Sequence, residues 1–117
     1  MSSIFRFFCV LALAVSCALS NLASAEARYL SFAQWQQMPE GERSAYVAGA
    51  FDAYLAFSQS YAPSAEHYLK CVQKLNLARG ALSTNVSSFA SSRPAVHAQT
   101  VPGIMVQYLF QTCGTPP

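Results

Sequence analysis

Charge is scarce in this chain. Only 10% of its 117 residues are Asp, Glu, Lys or Arg, against about a quarter in an ordinary globular sequence. Seven basic and five acidic side chains leave a formal charge of +2. That is too weak and too scattered for nucleic acid, which demands a basic patch or stripe. Sustained period-two alternation is missing as well, so nothing argues for a strand. No Gly-rich phosphate loop occurs, and Leu77-Ala-Arg-Gly80 is no substitute. The cysteines form no C-x-x-C pair, and His67 and His97 stand at unrelated spacings, which excludes a zinc signature.

A nucleophile with its base, or a pair of carboxylates, is equally hard to find. Glu66 and His67 are neighbours, and adjacent helical residues point about 100° apart rather than at one substrate. His97 sits in a polar connector with Gln99 and Thr100 and reads as solvated. Asn85-Val86-Ser87 matches a glycosylation sequon, but in the middle of an expected helix. The expectation is a protein that is not an enzyme, with no catalytic residue, no metal site and no cofactor.

The amino end is what the chain has in place of chemistry. Met1 to Arg6 carries one positive charge, Phe7 to Val15 is apolar, and Ala23-Ser24-Ala25 supplies an A-x-A site. These are the three parts of a cleavable secretory signal, with cleavage between Ala25 and Glu26. Ser16, Ser20 and Asn21 interrupt the apolar run, which falls short of the roughly 20 residues needed to span a bilayer. The alternative is lipidation of Cys17 in Ala14-Val15-Ser16-Cys17, a loose lipobox with Ala14 where Leu is usual. The mature chain is then one domain, residues 26–117, periplasmic or secreted and not embedded in a membrane.

Removing the leader takes Cys9 and Cys17 with it and leaves Cys71 and Cys113. In an oxidising compartment an isolated pair most simply forms a disulfide; two free thiols are the alternative.

Helical signals follow one another along the mature chain. Ser31 with Gln34 makes an S-x-x-Q capping box, and Leu30 with Trp35 the matching hydrophobic staple, opening a helix from Phe32 to Met38. A second helix is expected over Glu40–Ser60, with Tyr46, Val47, Ala50, Phe51, Tyr54, Leu55 and Phe57 on a broad apolar face. Gly49 suggests close approach by another helix there, and Asp52 reads as partly buried. Residues 65–72 are a short helix or an ordered loop. A further helix spans Leu77–Ser91, capped by Asn76, with Leu75, Ala78, Leu82, Asn85, Val86 and Phe89 on its buried side. The last opens around Thr100-Val101-Pro102 and runs to Cys113. The fold class is thus all-α: a small bundle of four to five helices with one disulfide. Tyr46, Phe51, Tyr54, Phe57, Tyr61 and Tyr68 are mainly core, and any left exposed would suit protein partners.

Three segments together resemble the periplasmic immunity proteins of type VI secretion, the Rap/Tai family. Arg43-Ser-Ala-Tyr46-Val-Ala-Gly49-Ala-Phe-Asp52-Ala is similar to that family's Tyr-x-x-Gly helix. Cys71 followed by a helix ending in Ser91-Ser-Arg93-Pro94 is similar to its cysteine, amphipathic helix and proline step. Val101-Pro102 through Tyr108-Leu109 to Cys113 is similar to its closing helix and terminal cysteine. The family commonly has a further cysteine just before the Tyr-x-x-Gly helix; this chain has Ser44 in that neighbourhood and departs there. The resemblance implies a binding protein that blocks a secreted cell-wall amidase effector through protein–protein contact, with no binding residue transferable by position. A homodimer is allowed. The competing expectations are an acid- or stress-responsive periplasmic chaperone and a cell-envelope accessory protein.

Overall fold

The computed structural model describes residues 30–58 and 62–117, so the expected leader and its expected Ala25–Glu26 cleavage site lie outside the described residues. The described residues form five helices: α1 (Phe32–Gln36), α2 (Glu40–Ser58), α3 (Ala62–Lys74), α4 (Arg79–Ser91) and α5 (Val101–Cys113). One 3-10 turn, Pro94–Val96, joins α4 to α5. Among the described residues there is no strand; Ser31 and Thr100 form one isolated antiparallel bridge. The all-α bundle with its single disulfide is thus the architecture observed.

The capping box forms as the sequence predicts. Gln34 N donates to Ser31 Oγ at 3.3 Å, and Ser31 N donates to Gln34 Oε1 at 3.0 Å. Helix α1 is two residues shorter than expected. Its end tightens through Gln37 N to Gln34 O and Met38 N to Trp35 O, because the residue before Pro39 is driven out of helical geometry. Leu30 and Trp35 both enter the core, and Trp35 is fully shielded from water.

Helix α5 is the most deeply buried element. Val101, Ile104, Met105 and Leu109 are completely covered, with Tyr108 nearly so. It contacts α2, α3 and α4, and α2 in turn contacts α3, α4 and α5. The buried face of α2 is narrower than its composition suggests. Ser44, Val47 and Phe51 are buried, Tyr46, Ala50, Tyr54 and Leu55 are half-buried, and Phe57 stands out in solvent. Asp52 is exposed, and nothing approaches within 4 Å of where a Cβ on Gly49 would lie. Both expectations for that helix are overturned for one reason: these positions lie on the side of α2 that no neighbour covers.

Residues 65–72 are helical, within the longer α3, anchored by Tyr68 and Val72 one turn apart in the core. Asn76 does not cap α4. It ends α3, with a left-handed φ of 51°. Asn76 N donates to Gln73 O and Leu77 N to Val72 O, both at 3.0 Å, which is the Schellman pattern with Asn in glycine's usual place. Helix α4 consequently starts two residues later than expected, behind Ala78, which gives no side-chain cap. Leu75 and Ala78 are exposed, whereas Leu82, Val86, Phe89 and Ala90 fill the core.

Cys71 and Cys113 are bonded, with Cα atoms 5.8 Å apart across a sequence separation of 42. The bridge clamps the last turns of α3 to the end of α5. Closing a loop of that length restricts the unfolded chain by about 4 kcal/mol in the chain-entropy model. Reduction, or the double substitution Cys71→Ser/Cys113→Ser, should therefore lower unfolding stability by up to about that amount, as measured by urea titration. Ile104→Ala, which empties a fully covered position, should cost about 2–5 kcal/mol in the same assay.

Candidate interaction surface

Polar side chains tie the helices at three places. Trp35 Nε1 donates to Arg43 O at 3.2 Å, and Arg43 Nη1 donates to Gln36 Oε1 at 2.9 Å. Gln36 Nε2 passes the network on to Ser87 Oγ, so α1, α2 and α4 are linked in one chain of bonds. Arg43 Cζ lies 5.8 Å from the Trp35 ring centroid, at cation–π range. Its Nε is the one buried side-chain donor without a partner among the described residues. Asn85 Nδ2 donates to Tyr108 OH at 3.1 Å, joining α4 to α5 inside the sequon that the sequence places mid-helix. Arg93 lies 4.1 Å from the Phe89 ring centroid and donates to Phe89 O and to Gln111 Oε1.

His97 is exposed, as its polar connector suggests, and it is also engaged by its neighbours. Its Nε2 is 2.7 Å from Ala90 O, which requires a proton on that nitrogen, and its ring stacks on Phe32 at 4.6 Å. The imidazole therefore closes the C-terminal end of α4, a structural use that only the folded chain could reveal. Glu66 and His67 diverge. Glu66 pairs with Lys70 at 2.6 Å, while His67 Nε2 reaches Gly114 O at 3.2 Å and meets the edge of Tyr68. Lys70's hydrogen bond, then its charge, holds the Glu66 carboxyl below its ordinary value of 4.5. Both groups stand well out in water, 72% and 64% exposed, so the pair adds little to stability. Among the described residues no three His, Cys, Asp or Glu side chains gather in a way that could hold a metal ion.

What the fold does present is uncovered apolar surface. Helices α2 and α5 leave a groove of about 470 Å³ between them. Ala50, Ala53 and Tyr54 wall it on one side, and Pro102, Met105 and Val106 on the other. Phe57 forms its rim and is 84% exposed. Scattered single apolar side chains are normal on any surface. A Phe held in water beside an apolar groove is a different case, because aromatic anchors flanked by apolar recesses carry much of the energy in protein interfaces. Sequence reasoning placed Phe57 among the core aromatics. The distinguishing signal is rotational: going from buried Phe51 to half-buried Tyr54 to exposed Phe57, each step of three residues turns about 60° further from the core, so the i+3 spacing from Tyr54 does not by itself separate core from surface.

A second cleft, of about 350 Å³, opens at the other end of α5, beside the disulfide. Lys70, Lys74 and His67 of α3 line it, together with Thr112 of α5. No helix of the described residues is long and apolar enough to cross a membrane. Comparison of the chain with protein-family models, curated proteins and solved structures finds no match.

Tyr68 gives the interior a measurable pH response. It is only 2% exposed, and burial, followed by the nearby Tyr54 phenol, raises its phenol above the ordinary 10.0. The neutral form is favoured in the fold, so this stability is fully present below 10.0 and is lost as pH rises through the raised folded value. The thermal unfolding midpoint should fall between neutral pH and about pH 11, and fall less in Tyr68→Phe, where calorimetry can follow both.

Proposed function

We propose that this chain is an exported periplasmic protein that acts by binding another protein, as the immunity proteins it resembles do when they occlude a peptidoglycan amidase effector. The observation that carries the reading is Phe57, 84% exposed on the rim of the apolar α2–α5 groove. Leaving such a ring in water forgoes about 2 kcal/mol of burial, which a partner's surface can recover. The order of the three resembling segments supports the same reading. So does the Cys71–Cys113 bridge, since disulfides persist in oxidising compartments such as the periplasm.

Occlusion requires a rigid surface more than it requires reactive groups. Val47 and Phe51, on the same helix as Phe57, are buried in the core, and Met105 on the opposite wall is completely covered. The groove is thereby held by packed elements on both sides, which limits the conformational freedom lost on binding.

The test is affinity capture from periplasmic extract with the tagged, oxidised protein and with Phe57→Asp. One stoichiometric partner that cleaves peptidoglycan amide bonds, is inhibited on binding, and is lost from the variant is the expected result. The variant should unfold within about 0.5 kcal/mol of the parent, because the position is exposed. A spread of unrelated clients that grows as pH falls would replace this reading with a chaperone, and the absence of any specific partner would end it.

A further inference from the structure

Both lysines of this chain lie on one cleft. Lys70 and Lys74 are one helical turn apart on α3, and His67 precedes Lys70 by three residues on the same side. Across the cleft, α5 contributes Thr112 and Cys113, held there by the disulfide to Cys71. Leu75, 45% exposed, gives the floor an apolar margin.

The charges of the fold are sorted accordingly. Glu40, Glu42 and Asp52 are all on α2, and Glu66 is the one acidic side chain on α3. Glu66 engages Lys70 on the outer edge. Lys74 has no ion pair among the described residues, and none of the residues lining this cleft is acidic. A lysine in the last turn is favourable to any helix through its dipole, but that role asks for neither a cleft nor a second cation. The chain is poor in charge, yet it places two ammonium groups, a hydroxyl and an exposed Leu around one recess of about 350 Å³.

We infer that this α3–α5 cleft receives an acidic segment of a protein partner, a carboxylate set between Lys70 and Lys74 with an apolar neighbour against Leu75 and the disulfide. The inference rests on the protein-binding reading above and adds to it a second contact of defined chemistry. The carboxylate accepts hydrogen bonds from the ammonium groups, and Thr112 Oγ1 offers one more donor. Lys70 serves without a large rearrangement, because its side chain is 72% exposed and its bond to Glu66 is a surface one. Contacts of this kind steer association and weaken with salt.

The test is a fluorescence-anisotropy titration of the oxidised protein with a labelled peptide of alternating Glu and Leu, and with its Gln/Leu counterpart. The Glu peptide should bind in low salt and the Gln peptide should not. Lys70→Gln/Lys74→Gln should weaken binding about tenfold or more, and Lys74→Glu at least as much, with circular dichroism unchanged. Equal binding of the two peptides, no binding of the Glu peptide, or undiminished binding by the variants overturns the assignment. So does lysine-dependent adherence to phosphatidylglycerol vesicles without peptide binding, which would make this an anionic-lipid site. The titration needs no effector, so its failure removes the cleft and leaves the Phe57 capture result standing; failure of the capture leaves the peptide result standing.

Discussion

Val101, Ile104, Met105 and Leu109 of α5 are completely shielded from solvent, and they reach that state because α2, α3 and α4 all pack against the same helix. Much of the rest of the fold can be understood from this requirement. A thirteen-residue helix with so apolar a composition would not persist alone in water, where most helical stability comes from packing. The neighbours accordingly present Val47 and Phe51, Tyr68 and Val72, and Leu82, Val86 and Phe89 inward. Their outward faces carry Asp52, Glu66, Lys70 and the serine-rich end of α4. What α5 does not need is left to solvent, and both the α2–α5 groove and the α3–α5 cleft lie along its uncovered margins.

Local chemistry was readable in the sequence wherever a residue acts on neighbours three or four positions away. The Ser31–Gln34 box works within one turn, so its spacing alone identifies it. The cysteine pairing is readable because only Cys71 and Cys113 lie beyond the apolar amino end. Asn76 shows where such reading stops. The same side chain suits the start of one helix and the left-handed end of another, and only φ separates them. Helix α3 was ambiguous because its core anchors amount to Tyr68 and Val72, too few to establish a period.

The interaction surfaces were less legible than the fold, for a physical reason. Whether Phe57 is core or surface depends on the few tens of degrees by which α2 is rotated about its axis, which its neighbours set. His97 meets Phe32 and Ala90 through tertiary packing, and no spacing rule connects His97 with Phe32. The lysine cleft needs Thr112 and Cys113 opposite α3, a juxtaposition created by the disulfide and the core together. Gly49 and Asp52 were misjudged from the opposite side: a broad apolar composition on α2 suggested cover where none exists.

The pairing at the entrance of the domain has a consequence in time. Ser31 bridges to Thr100, and Val101 N donates to Leu30 O at 3.2 Å, so α1 is positioned by residues about seventy places further on. Cys71 likewise waits for Cys113. A ribosome delivers the amino end first, and loop closure of this kind cannot begin until the distant partner exists. Helices α2, α3 and α4 can form as they emerge, and α2 can pack on both others, yet the contacts each makes with α5 wait for its synthesis. The bridge at Thr100, the disulfide and every contact of α5 thus depend together on residues 100–113.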